Sequence, residues 1–478
     1  MELASQRGHT AITAVPRILL LLLLSLLALS PAGAVQNQTL VIRNVTVINT
    51  ASDEVTRPVD VVISGNRITG TGRSLQIPHG AEIVDGTGKY LIPGLWDMHV
   101  HLFNNTSGSG TNNKDTSFPL LIANGVTGIR DMWSDPDDIE LASRWTHEIE
   151  AGTLVGPRMA LGSRIVDGVP TFLPNLLGVA TAEEGRRAVR TLKSQGAGFI
   201  KVYWNLSPEA YFAIADESRE LGIVFAGHVP FSVSAGDASD AGQKSIEHLT
   251  GLLEACSSKE AELRKQPWTP AVGEEIARTY DAQKCGLLFK RFAKNRTWHT
   301  PTAVLHRGIS VSDDVEVRRN DSFRYVPAAT MKRWMASPQV AREPELTIRK
   351  DRFEKMLGTI GEMHRAGVPL LTGSDVGNPF VVAGFSVHDE LQLLVQAGLT
   401  PREALRTATL NAATYLDLAD SLGTVKAGTL ADLVLLDADP LENIANTRRI
   451  TAVVTNGRYL PKAALQKMLS GVEAAALK

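Results

Sequence analysis

Cysteine is nearly absent from this chain: Cys256 and Cys285 are the only two among 478 residues. Neither lies near the N-terminus, so nothing supports a lipid-anchored thiol there. No matching base accompanies either one, which argues against a nucleophilic cysteine. Net charge is almost absent too: 49 basic residues against 51 acidic give −2. That balance gives no reason to expect a nucleic acid or an anionic membrane surface as partner. Heptads and short solenoid repeats are missing, as is a G-x-G-x-x-G after the first strand of the central region, which weighs against a doubly wound dinucleotide fold. No run is long enough to cross a bilayer comfortably. The longest, residues 18–29, is followed by Ser30-Pro31 and by Ala32-Gly33-Ala34, with Arg7 and Arg17 ahead of it. A basic start, a short apolar stretch and an A-x-A end form an export signal. Cleavage after Ala34 is the expectation, with an uncleaved anchor as the alternative. The chain is then exported, periplasmic or extracellular, and residues 1–34 stand outside the fold.

Export changes the meaning of the cysteine pair. Both lie in the polar, helical-looking stretch 254–294, where a disulfide would close the excursion and two buried free thiols are the alternative. Sequons at Asn37, Asn44, Asn104, Asn205, Asn295 and Asn320 matter only in a host that glycosylates.

What is present is a patterned chain, 44% hydrophobic and 21% charged, long enough for a large domain and a smaller one. Short alternating apolar runs with a Ser64-Gly65-Asn66-Arg67 turn fill residues 40–83, an antiparallel β texture that returns at 431–436 and 450–457. Between these flanks strand-like and helix-like segments alternate, as in a parallel α/β arrangement. Eight candidate strands span 90–101, 127–131, 158–165, 199–203, 224–228, 245–248, 297–304 and 370–375. The fold expected is α/β: a TIM-like (β/α)8 barrel over 93–422, with a small β-sandwich domain formed from both chain ends, 35–92 and 423–470.

In such a barrel, chemistry sits at the strand C-terminal ends. The first strand ends in His99-Val100-His101, two imidazoles on one strand face. Lys201 interrupts the apolar Phe199-Ile200-Lys201-Val202, where a lysine is costly unless paired or chemically altered. His228, His248 and Asp375 each close a later strand. Singly, each has an ordinary structural reading: a hydrogen-bonded histidine, a capping aspartate, a snorkelling lysine. Together, six such groups at successive strand ends point to a metal site.

With these residues, and with the segments 92–101, 125–131, 226–230, 245–249, 398–411 and 423–440, the chain resembles the amidohydrolase superfamily, in its imidazolonepropionase-like branch that includes Xaa-Pro dipeptidases. The resemblance implies two divalent metal ions, expected to be Zn²⁺. His99, His101 and Asp375 would hold one, and His228 and His248 the other. Lys201, carboxylated on its side-chain nitrogen, would bridge them. Asp375 would serve as base and acid. Tyr203, on the same strand face as Lys201, would contact the substrate carbonyl, or else pack as a barrel-top aromatic. Arg130 would clamp a substrate carboxylate, or else pair with Asp131 or Asp135. His388 stands near a helix start or behind the ligands. The loop 104–117 has the composition of a lid, and Trp298 and His299 would shape the pocket. The implied activity is hydrolysis of an amide in a dipeptide or N-acyl amino acid. Lactone or phosphotriester hydrolysis, or a metal-binding barrel without activity, are the alternatives. Expected partners are a small-molecule or dipeptide substrate and further copies of the chain, with no nucleic acid and no stable membrane anchor.

Overall fold

The computed structural model describes residues 39–52, 58–103, 114–266, 269–310, 320–337, 340 and 345–478. The export signal, Asn37, Asn104 and most of the expected lid lie outside them.

Five strands open the described chain: β1 (Thr39–Val47), β2 (Val59–Ser64), β3 (Arg67–Gly72), β4 (Glu82–Asp85) and β5 (Tyr90–Pro93). The central region contributes β6 (Leu95–Val100), β7 (Val126–Asp131), β8 (Arg158–Leu161), β9 (Val166–Gly168), β10 (Leu177–Val179), β11 (Phe199–Val202), β12 (Val224–Gly227), β13 (Ser245–Glu247) and β14 (Trp298–Thr300). The end of the chain adds β15 (Leu433–Leu436), β16 (Ile450–Thr455) and β17 (Arg458–Pro461).

The first five and last three strands share one sheet in the order β17-β16-β15-β5-β1-β2-β3, with β4 also paired to β1. Val61, Ile63, Leu91, Leu433, Leu435 and Val454 are among the side chains that fill its own apolar core. The region read as one strand over 90–101 is two. Gly94 divides them, its N–H donating to the Asp432 carbonyl. A Cβ there would stand 2.0 Å from the Thr127 hydroxyl, so only glycine lets the chain pass from one sheet into the next. A helix, Lys462–Ala476, follows β17 and packs on the helix Ser117–Ala123; the β reading of 423–470 did not separate it.

The central strands run parallel, in a three-stranded set β6-β7-β8 and a six-stranded set β10-β9-β11-β12-β13-β14. Main-chain bonds connect these sets. Gly198 N–H donates to Leu161 O and Ser163 N–H to Phe199 O, joining β8 to β11. Leu371 N–H donates to His299 O, and Met98 N–H to Thr372 O, so residues 370–376 bridge β14 and β6. This last segment makes only isolated bridges and is not a regular strand. The expected strand 158–165 stops at Leu161, and 297–304 stops at Thr300 before the helix Ala303–Ser310.

Helices fill the crossovers, and their ends are marked locally. In Pro208–Leu221, the Ser207 hydroxyl accepts from Ala210 N–H, Pro208 occupies the first turn, and Gly222 turns left-handed at φ 63°. Ala182–Ser194 is capped by Thr181. The stretch 254–294 carries short helices, Glu260–Leu263 and Pro270–Arg278, and the longer Ala282–Asn295. Cys256 and Cys285 are joined by a disulfide across a separation of 29 residues. The main core lies between parallel strands and helices: Ile200 and Val202 of β11 enter it, leaving Phe199 and Lys201 on the opposite strand face.

Candidate metal centre

Every expected ligand but Asp375 lies at or just beyond the end of a parallel strand. His99 belongs to β6 and His101 follows it; Lys201 is in β11; His228 and His248 come directly after β12 and β13; Asp375 lies in the bridging segment. Two of these positions are strained. His248 and Asp375 adopt φ of 57° and 64°, left-handed values that cost a residue with a Cβ about 1–3 kcal/mol. Gly227 is required where it stands, since a Cβ would lie 2.3 Å from Val202 O. Its absence lets β12 approach β11 beside Lys201.

The side chains converge. Asp375 Oδ1 lies 3.4 Å from His99 Nε2 and 3.2 Å from His101 Nε2, while Oδ2 lies 3.7 Å from His248 Nε2. The His99 and His248 rings are 4.5 Å apart, and those of His228 and His248 4.9 Å. One ligand atom each from His99, His101 and Asp375 falls within a 4.8 Å cluster able to hold an ion. Burial alone would raise the Asp375 carboxyl; the imidazoles of His99, His248 and His101 outweigh it and hold it well below the carboxylate range. Burial also depresses the imidazoles of His99, His228 and His248, His99 to about 4, so these three are neutral and can donate lone pairs.

A divalent metal fits this set. His99 Nδ1 is 2.8 Å from Glu247 Oε2, and His248 Nδ1 is 2.7 Å from the Thr302 hydroxyl. With those partners accepting, both rings turn Nε2 toward Asp375, the outer-shell pattern that orients metal-bound histidines. Lys201 Nζ and His228 Nδ1 are buried with no hydrogen-bond partner among the described residues. Lys201, 1% exposed, is lowered by burial to about 8, against the pull of Glu247 and Asp375. A lysine easily stripped of its proton, facing other donors, suits N-carboxylation into an anionic ligand. Imidazole and carboxylate donors without thiolates suit Zn²⁺ or a similar ion.

Arg130 is not a substrate clamp, nor does it pair with Asp131 or Asp135. It is fully buried, with Nη2 2.9 Å from both Glu247 oxygens. Nη1 donates to Ser245 and Tyr415, and Nε to Met98 O. Every edge of the guanidinium is used below the site. His388 is also structural: inside the helix Phe385–Gln396, it bonds Thr447 and the Asn124 carbonyl. His299 packs on Phe292 of the outer helix, away from the cluster, and Trp298 packs edge-on to Tyr415. Tyr203 does lie at the site, its ring 4.3 Å from that of His228.

Glu247 is the functional residue that sequence reasoning missed. Burial alone would raise its carboxyl, but Arg130 and His99 hold it well below the usual range. An acid one residue before a strand-end histidine, in a fully buried three-residue strand, is the feature that marks it. Asp131 was weighed only as an ion-pair partner; it accepts from Leu102, Trp133 and Ser134 and so shapes the turn after His101.

Comparison with known proteins identifies the family. The family described as "Amidohydrolase family" matches residues 90–460. Imidazolonepropionase of Pseudomonas paraeruginosa (strain DSM 24068 / PA7) is 26% identical over 389 residues, 78% of this chain and 86% of the relative. Three matches of higher identity are local and cover only 16%, 10% and 27% of the curated relatives concerned. Among solved structures, bottromycin amidohydrolase superposes with a TM-score of 0.74 at 24% identity, covering 92% of this chain and 90% of that one. A Xaa-Pro dipeptidase with bound methionine superposes with a TM-score of 0.64 at 19% identity, covering 89% and 100%.

Proposed function

The chain belongs to the amidohydrolase family, hydrolases acting on carbon–nitrogen bonds, and from that premise we propose that it is an exported dipeptidase or N-acyl amino acid hydrolase with a two-metal site. The observation that carries the reading is the convergence of His99, His101 and His248 on Asp375, with the His228 ring against His248 and Lys201 buried without a hydrogen-bond partner. The fold that goes with it is a TIM-like (β/α)8 barrel over 93–422, supported by the main-chain bonds joining its eight segments, with a β-sandwich from the chain ends. Export is supported by the N-terminal pattern and by the disulfide.

His99, His101 and Asp375 would hold one ion, His228 and His248 the second, and carboxylated Lys201 both. Bound there, a pair of zinc ions supplies Lewis acidity and lowers the pKa of water toward about 7. The protein's own groups do the rest. Asp375 accepts a proton at its carboxylate from the attacking water and returns it to the departing amine nitrogen. Tyr203 stays a phenol, since burial, with Asp375 nearby, raises its pKa; it can donate a hydrogen bond to the substrate carbonyl oxygen while keeping its proton. Thr302 and Glu247 hold the His248 and His99 rings in place.

The test is a panel of Xaa-Pro and other dipeptides, N-acyl amino acids, lactones and aryl esters with the zinc-loaded protein. Turnover of the amides with about two zinc ions per chain supports the reading. Cleavage confined to lactones or esters overturns it.

A further inference from the structure

Beside the ligand cluster stands a group of rings that the proposed chemistry does not use. Trp204 follows Tyr203 after β11, with its ring 4.6 Å from His228 and edge-on to it. Phe231 stacks on Trp204 at 4.6 Å and 15°. Phe172, from the loop after β9, meets Tyr203 at 5.8 Å and Trp204 at 6.3 Å. Phe172 and Phe231 remain 51% and 41% exposed. A loop core that served packing alone would bury these rings; here two large aromatic side chains stay about half exposed beside a polar cluster.

The arrangement is braced. The buried Asp167 carboxylate accepts from Phe172 N–H at 2.6 Å and from Asn205 N–H at 2.6 Å. Asn205 Nδ2 donates to Pro170 O. Phe231 N–H donates to Trp204 O, and the Ser232 hydroxyl to Leu206 O. Three loops from three strands are thereby tied around the rings. The Trp204 ring also meets the Tyr203 ring edge-on at 6.1 Å, linking this wall to the phenol.

We propose that Phe172, Trp204 and Phe231 form a preformed recognition wall for a flat aromatic group carried by the substrate next to the scissile amide. The proposal rests on the amide-hydrolase reading of the same site and adds the substrate class. Stacked and edge-to-face contacts select a planar ring over an alkyl group of similar hydrophobicity. A wall fixed before binding costs little ordering on binding.

The test compares hippurate and N-acetyl-L-phenylalanine, which carry the ring on opposite sides of the amide, with N-acetylglycine and N-acetyl-L-alanine. The zinc-loaded full chain and its Phe172→Ala, Phe231→Ala and Phe231→Tyr variants are assayed together. The expected result is a preference of at least about tenfold in kcat/KM for one of the ring-bearing compounds. It falls about tenfold, through KM, in each alanine variant and returns in Phe231→Tyr. Equal use of ring and alkyl substrates by the wild type, or an unchanged preference in both alanine variants, overturns the wall. Absence of turnover for all four and for the dipeptides of the panel overturns the amide-hydrolase reading instead. The wall is then judged by calorimetric binding of the same compounds: ring-selective affinity lost in Phe172→Ala and Phe231→Ala supports it, and equal affinities refute it.

Discussion

Replacing Glu247 with glutamine tests the assembly beneath the metal centre. Glu247 is fully buried between two groups that need its charge: Arg130 Nη2 at 2.9 Å from each oxygen and His99 Nδ1 at 2.8 Å. The amide keeps the shape but removes the charge and turns one acceptor into a donor. It faces N–H groups of Arg130 or His99, or the Ser245 hydroxyl at 2.5 Å. Breaking a buried ion pair from one side costs about 3–5 kcal/mol. Spread over an unfolding entropy of about 0.9 kcal/mol per kelvin for a domain of about 440 residues, this lowers the melting temperature by about 3–5 °C. The loosened His99 ring should cost about 10–100-fold in metal affinity or activity. Scanning calorimetry, zinc per chain after dialysis and kcat/KM measure the three effects. A variant that melts within 1 °C of wild type and retains its zinc would refute the reasoning. Loss of stability with full zinc retention would leave Glu247 as Arg130's partner only. Arg130→Met belongs in the same experiment, since a buried brace predicts a lowered melting temperature where a substrate clamp would raise KM alone.

Four other outcomes follow from the structure. Asp375→Asn should lower kcat by about 10²–10⁴-fold; turnover near the wild-type rate with metal bound would remove Asp375 as the proton carrier. Lys201→Met should lose metal yet raise the stability of chelator-treated protein by about 1–3 kcal/mol, since Nζ is buried without a partner; a lower melting point of the metal-free variant would contradict this. Cys256→Ser opens a loop closed over a separation of 29 residues and should cost about 3–4 kcal/mol, read as an earlier urea midpoint that reductant no longer changes. Burial pushes Glu390 from 4.5 to about 8, helped by Asp97 and opposed by bonds from Val304 and Ala303 and by Arg307. The folded protein thus keeps a proton that the unfolded chain releases. The contribution is whole below about pH 4.5 and declines toward pH 8 at up to about 1.4 kcal/mol per pH unit. Glu390→Gln should flatten that decline in urea titrations at pH 5, 6.5 and 8, and an unaltered slope would count against it.

Much of the site was legible because its chemistry is local. His99, Lys201, His228 and Asp375 each stand out against the small or apolar residues before them, and His248 closes its own short strand. What the sequence concealed depends on meetings between distant segments. Arg130 reads as an available cation because Glu247, 117 residues later, is invisible as its partner. His299 reads as pocket-lining because the direction of a three-residue strand cannot be told from its letters; Phe292 claims the ring. Residues 90–101 read as one continuous strand because the collision that makes Gly94 a boundary comes from Thr127. The aromatic wall was unread for the same reason: Phe172, Trp204 and Phe231 lie on three different loops.

The sheet built from both ends of the chain has a further consequence for how the molecule is made. β5 is flanked by β1, about forty residues earlier in the chain, and by β15, more than three hundred later. Until the last strands emerge from the ribosome, the edge of β5 that β15 will cover stays open, with Leu91 and Ile92 lacking their final neighbours. Pairings of such sequence separation form late and slowly, and the nascent chain carries an adhesive edge in the meantime. A truncation before residue 433 would therefore be expected to yield an aggregating polypeptide rather than a lone barrel.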